Sequence, residues 1–276
     1  MKLWRMYNGE HGKLYRIGRD RFEDIINDYH LKVRNRNRVK VRTTNSNHDL
    51  PLYPNIITDL IPERPNQLWV ADITYIPIWL TKTKYVFAYL SIILDAYTEE
   101  IVGWYLGQSL ETCYPLRALQ MALKRIEGKE VDLIHHSDRG CQYASLEYTE
   151  LLKSHGIRIS MTECGDPKDN PQAERVNNTV KNELLKGLVY SSIEELRNDL
   201  KVKINFYNER RPHMSINMMT PAQAARCKGE IGKRWHSYRD AAIKALRTQA
   251  LEIAGKGLPL PDSQGSPSGL RPPVNP

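Results

Sequence analysis

The sequence predicts an α/β fold: a mixed five-stranded sheet flanked by helices, with a small basic helical segment in front and a disordered tail behind. Three observations point to it. Residues 68–78, 84–95 and 100–107 are largely apolar runs joined by connections short enough for an antiparallel meander. Helical and extended patterns then alternate over 112–126, 131–138, 145–155 and 157–161, which extends a sheet rather than starting a second one. Glycines punctuate the ends, Gly140 after the fourth strand and Gly156 after the helix at 145–155.

Residues 1–14 show no usable periodicity. Asp20-Arg21-Phe22-Glu23 has the form of a capping box and opens a helix with Phe22, Ile25, Ile26 and Tyr29 at helical spacing. Lys32, Arg34, Arg36, Arg38, Lys40 and Arg42 then set a basic residue at every second position. A helix would scatter these side chains, whereas an extended chain aligns them about 6.6 Å apart, near the spacing of successive phosphates on one nucleic-acid strand. The run is either an arm laid along DNA or a solvated linker. Residues 43–66, with prolines at 51, 54, 62 and 65, read as linker. The expected organisation is a basic N-terminal segment (1–48), a linker (49–66), one core domain (67–222), a helical segment (223–254) and a Pro/Gly/Ser-rich disordered tail (255–276).

Within the core, alternation along 68–78 puts Val70, Asp72 and Thr74 on one face and Ala71, Ile73 and Tyr75 on the other. The helix at 112–126 has the stripe Leu116, Leu119, Ala122, Leu123 and Ile126. Residues 162–172, with Gly165, Pro167 and Pro171, form a polar loop. Ser191-Ser192-Ile193-Glu194-Glu195 opens another helix, striped by Ile193, Leu196, Leu200, Ile204 and Tyr207.

Forty Lys and Arg against 32 Asp and Glu give the 276-residue chain a net charge of +8, a balance that favours a polyanionic partner. No apolar stretch follows Met1, and the longest apolar run is too short to cross a bilayer, so a cytoplasmic chain without membrane contact is expected. The four cysteines, at 113, 141, 164 and 227, include no Cys-x-x-Cys pair and read as free thiols. His135, His136 and Cys141 match no zinc spacing, and no small-molecule cofactor is indicated.

The chemistry-bearing signal is a set of three carboxylates. Asp72 lies in the first strand, and Asp138 ends the fourth, just before the Gly140 turn. Glu174 lies on a helix whose apolar stripe is Ala173, Val176, Val180 and Leu184. On that helix Asn178 falls roughly 40° from Glu174, and Lys181 roughly 20°, forming one polar ridge. Each feature alone is ordinary: a strand-end aspartate is usually a turn residue, and an amphipathic helix usually a surface helix. Brought together, three carboxylates repel unless cations lie between them, and their hard oxygens suit Mg²⁺ or Mn²⁺. Two such ions roughly 3.5–4 Å apart can activate an attacking oxygen and stabilise a leaving one in phosphoryl transfer.

Four segments, in order, carry a family resemblance: Trp69-Val70-Ala71-Asp72-Ile73-Thr74-Tyr75, His136-Ser137-Asp138-Arg139-Gly140-Cys141-Gln142-Tyr143, Asn170-Pro171-Gln172-Ala173-Glu174-Arg175 and Tyr207-Asn208-Glu209-Arg210-Arg211-Pro212-His213. With 35 residues between Asp138 and Glu174, the chain resembles D-D-E transposases of bacterial insertion sequences, in the retroviral-integrase superfamily. It is most similar to the branch fused by frameshifting from two reading frames, of which this would be the second. The resemblance implies an RNase H-like core in which Asp72 and Asp138 occupy neighbouring strands and the Glu174 helix packs across their ends. It implies two Mg²⁺ ions held by Asp72, Asp138 and Glu174, double-stranded DNA as partner (element ends and target), and a homo-oligomer. On this reading the enzyme cleaves at the 3′ ends of its element and joins them to target DNA. Lys181 and Asn178 would position phosphates, while Arg139, Gln142 and Tyr143 would touch the end nucleotides. Arg210 and Arg211 would hold phosphates or cap their helix, and His213 would be structural. The segment before residue 48 resembles the end of a helix-turn-helix-like domain with too little chain for its usual three helices. A non-catalytic DNA-binding or regulatory fragment and an RNase H-like nuclease are the alternatives.

Overall fold

A computed structural model describes residues 2–29, 31, 48–163 and 170–255. The basic run from Lys32 to Arg42, most of the polar loop before Glu174 and the tail beyond 255 lie outside the described residues. Strands β1 (Leu68–Trp79), β2 (Tyr85–Asp95), β3 (Ile101–Gly107), β4 (Ile134–Ser137) and β5 (Arg158–Met161) form one sheet in the order β3-β2-β1-β4-β5. The first three pair antiparallel, and β4 and β5 add in parallel on the far side of β1. The mixed sheet expected from sequence is the one observed, with strand bounds shifted by a few residues at most.

Alternation along β1 divides the interior in two. Leu68, Val70, Ile76 and Ile78 face a core shared with α6 (Pro171–Thr179) and α7 (Ile193–Glu209). Trp69, Ala71 and Ile73 face the other core, shared with α3 (Cys113–Leu123) and α5 (Leu146–Ser154). Trp69 is fully buried, and burial of a side chain of this size contributes roughly 2–3 kcal/mol. The second core depends on one glycine. A Cβ at Gly103 of β3 would stand 2.2 Å from the Ala118 carbonyl, so α3 lies against a backbone that only glycine leaves bare. Ser145 caps α5, and Gly156, at φ +67, closes its end as the sequence suggests.

The N-terminal segment departs from expectation. A helix, α1 (Lys2–His11), occupies residues with no clear apolar stripe; the Trp4 indole donates to the Ile17 carbonyl, and Asn8 bonds both polar groups of the Ile17 backbone. α2 (Arg19–Asp28) starts before Asp20, with Gly18 at the cap, so Asp20 is a first-turn residue and the expected capping box does not form. Beyond residue 222 the chain remains tied to the core. Tyr97 Oη donates to the Gly229 carbonyl, Gly229 N to that of Glu63, and the compact unit runs through Trp235. A second unit begins at His236 and contains α9 (Tyr238–Gly255), where Asp240 N in the first turn donates to Ser237 Oγ. No helix among the described residues is long and apolar enough to cross a membrane.

Candidate active site

Asp72 is placed by β1 and fixed at both oxygens. One accepts from Ile73 N at 2.8 Å and the other from the Asn177 amide at 2.8 Å. Burial, then the neighbouring charge of Asp138, pushes its carboxyl up to about 7, and the two donors only partly offset this. Asp138 follows the last residue of β4. The parallel register ends with Val70 opposite His136, so Asp72 lies two residues further along β1 and Asp138 just beyond the end of the neighbouring β4. Asp138 Oδ1 accepts from Gly140 N at 3.0 Å, and a Cβ at Gly140 would press on that same oxygen.

Glu174 is exposed on α6, which packs against β1 and β2 and raises the Asp72 carboxyl further. Three amides hold the helix there. Asn170 donates to the Ala71 carbonyl, Gln172 to that of Ala96, and Asn177 to Asp72 itself. The Asn170 and Asn177 carbonyl oxygens are buried without a hydrogen-bond partner. Asn177 was not among the residues expected from sequence, although it lies three positions beyond Glu174, where a helix returns to the same side. Among the described residues, no three His, Cys, Asp or Glu side chains stand close enough to cage an ion.

The other expected contacts divide. Asn178 lines an open groove with Pro171, Glu174, Arg175, Thr179, Asn182 and Glu183. Lys181 is half-buried, with its ammonium 4.0 Å from the centre of the Tyr75 ring; burial lowers its pKa, and Asp72 opposes that shift. Arg139 is half-buried beside Asp138, its Nε lacking a hydrogen-bond partner, and its carbonyl bonds His48.

Gln142 and Tyr143 require correction. The short helix α4 (Cys141–Ala144) turns both inward. The Gln142 amide donates to the Leu110 carbonyl at 2.8 Å, and the Tyr143 ring packs edge-on to Tyr148. Neither presents a surface to DNA in this conformation. Arg211 is corrected likewise: it is 3% exposed, and its guanidinium makes two 2.7 Å bonds to Glu183. Arg210 is exposed and paired with Glu10. His135 and His136 are core histidines, bonded to Tyr148 Oη and Ser160 Oγ. Burial and then His136 push His135 down to about 3.

The sheet order and its flanking helices define an integrase-type catalytic core. Integrase core domain models match residues 62–167 and 155–221. An uncharacterized 31 kDa protein of insertion element IS600 from Shigella sonnei is 36% identical over 208 residues, covering 75% of this chain and 74% of that one. The transposase for insertion sequence element IS629 of Shigella sonnei is 36% identical over 187 residues, or 67% and 60% of the two chains. A chain of the simian T-cell lymphotropic virus intasome, solved with PP2A regulatory subunit B56 gamma, superposes with a TM-score of 0.51 at 20% identity, over 71% of this chain and 65% of that one; this likeness concerns the fold alone. The protein belongs to the insertion-sequence transposases of the retroviral-integrase superfamily.

Proposed function

We propose that this protein is a metal-dependent polynucleotidyl transferase that cleaves the 3′ ends of an insertion sequence and joins them to target DNA. The observation that supports this best is that Asp72, two residues past the last β1–β4 pair, and Asp138, just past the end of β4, lie close enough for Asp138 to raise the Asp72 carboxyl, with the Glu174 helix stapled to β1 by Asn170 and Asn177. The oxygen donors of Asp72 and Asp138 suit Mg²⁺ or Mn²⁺, since neighbouring carboxylates that raise one another's charging cost are relieved by a hard dication, and Glu174 would close on that pair to complete the set. Asp72, Asp138 and Glu174 would hold the ions, which when bound supply activation of the attacking oxygen and stabilisation of the leaving one.

The chain's own groups do the positioning. Asn177 and Ile73 N fix the Asp72 carboxylate, so it need not reorganise when substrate arrives. Gly140 N does the same for Asp138. Lys181, held near Asp72, offers a cation to a DNA phosphate, and Asn178 offers an amide from the groove beside Glu174. The net charge of +8 supports double-stranded DNA as partner, and joining two ends calls for more than one copy.

The test is joining of a labelled, pre-cut element end into plasmid with Mg²⁺, comparing wild type with Glu174→Gln. Product from wild type alone is expected. Hydrolysis of an RNA–DNA hybrid without joining would replace this reading by a nuclease. Equal end binding with no product from either protein would replace it by a regulatory DNA-binding role.

A further inference from the structure

The Tyr207–His213 segment lies after the carboxylate helix in sequence, and its second arginine, Arg211, is almost wholly buried. Its guanidinium grips Glu183 through Nε and Nη2, both at 2.7 Å, while Nη1 lies 3.0–3.1 Å from the ring nitrogens of His213. Tyr207 closes the assembly, with its ring 4.6 Å from that of His213 and 5.5 Å from the Arg211 guanidinium. Buried Glu99 also faces Arg211. Although burial pushes Glu183 up, the Arg211 bonds hold it below its usual range, so the pair is charged.

Glu183 occupies an unusual turn. Directly after α6 the chain widens into a π-helical turn, Val180–Leu184, closed by Leu185 N donating to the Val180 carbonyl at 2.9 Å. Such wide turns are rare, occur mostly as single inserted turns and need support from tertiary contacts. Val180, Leu184 and Leu185 are buried in the core that also contains Tyr207, so the turn cannot slide freely. Lys181 lies in the same turn, above the Tyr75 ring and toward Asp72. Relaxing the turn to α-helix would shift the register by one residue, rotating the residues downstream of it by about 100°.

We propose that Arg211 and Glu183 form a clamp that holds the π-turn and thereby sets where the Lys181 ammonium stands beside Asp72. They are positioning residues for the DNA-joining reaction. This rests on the proposed function, but the clamp can be read without it. Bidentate geometry is the essential part, because lysine at 211 would keep the charge and lose the fork.

The first readout is spectroscopic. The Lys181 ε-methylene protons should be shifted upfield by the Tyr75 ring in wild type and in Arg210→Lys, and should return toward random-coil values in Arg211→Lys and Glu183→Gln. The second is a double-mutant cycle on joining. Arg211→Lys is expected to lower joining at sub-saturating DNA up to about tenfold and to raise half-saturation, in the same direction as loss of the Lys181 ammonium. In a Lys181→Met background the same substitution should cost less than about twofold, because both act through one group. An unchanged ring shift, or an equal cost in both backgrounds, would overturn the proposal and reduce Arg211 to a stabilising residue. Were the wild type unable to join DNA, the proposed function would fall, and the ring shift alone would decide the clamp.

Discussion

The two flanks of the carboxylate site use their polar residues in opposite ways. After Asp138, the family resemblance implies that Arg139, Gln142 and Tyr143 touch the end nucleotides, yet α4 turns Gln142 and Tyr143 into the interior and commits them to protein partners. After Glu174, Asn178 and Lys181 of the polar ridge expected from sequence keep partial or full access to solvent, as does Glu183, and Asn177 holds Asp72. The first flank builds a rigid floor and the second carries the working surface. Residue type alone did not separate them. A tyrosine or glutamine beside a carboxylate looks equally suited to stacking on a base or filling a core, and the four-residue helix that decides between these leaves no periodic trace.

The comparison is sharpened most by removing a carboxylate. Asp138→Asn should lower joining by about a thousandfold or more, with binding of end DNA changed less than about threefold, as measured by strand transfer and a mobility shift in parallel. Equal loss of binding would make Asp138 part of the floor. Lys181→Ala should weaken end binding by roughly tenfold and reduce the log–log salt slope by about 0.9, since one phosphate contact is lost; an unchanged slope would remove Lys181 from the working surface.

Two buried histidines predict an acid sensitivity. His135 is held down at about 3 by burial and His213 at about 2 by burial and Arg211, so both are neutral in the folded chain. The unfolded chain gains protons below about pH 6.5, so their contribution to stability is present above that pH and lost as pH falls. Each histidine should cost up to about 1.4 kcal/mol per pH unit between about 6 and 4. Thermal unfolding across pH 7 to 5 measures this, and His135→Phe should flatten the slope by up to one proton. The smallest effect belongs to Tyr143→Phe. Its hydroxyl is buried without a hydrogen-bond partner, so removing it should change stability by less than about 1 kcal/mol and leave DNA binding unaltered. A clear loss of binding would move Tyr143 to the working surface.

The sheet was legible because β1 and β2 are long apolar runs, whose type survives errors in their ends. The placement of Asp72 on β1, of Asp138 just past β4 and of Glu174 on α6 was legible because apolar runs and a helical stripe mark those elements. The Arg211–Glu183 pair was not, because 28 residues separate its members and no periodic pattern links them. α1 was missed because its order comes from Trp4 and Asn8 bonding Ile17, a tertiary cause. The π-turn has no sequence signature of its own.

The placement of β1 between its neighbours makes its register critical. Every position from Trp69 to Trp79 is paired with β2, and alternate residues enter different cores. A slip of one residue would send Asp72 beneath α3, far from Asn177, while leaving much of the apolar surface covered. Such a chain could be compact yet inert. The yield of soluble protein and the titrated fraction of competent molecules should therefore be measured separately in any refolded preparation, since a register error would lower the second and spare the first.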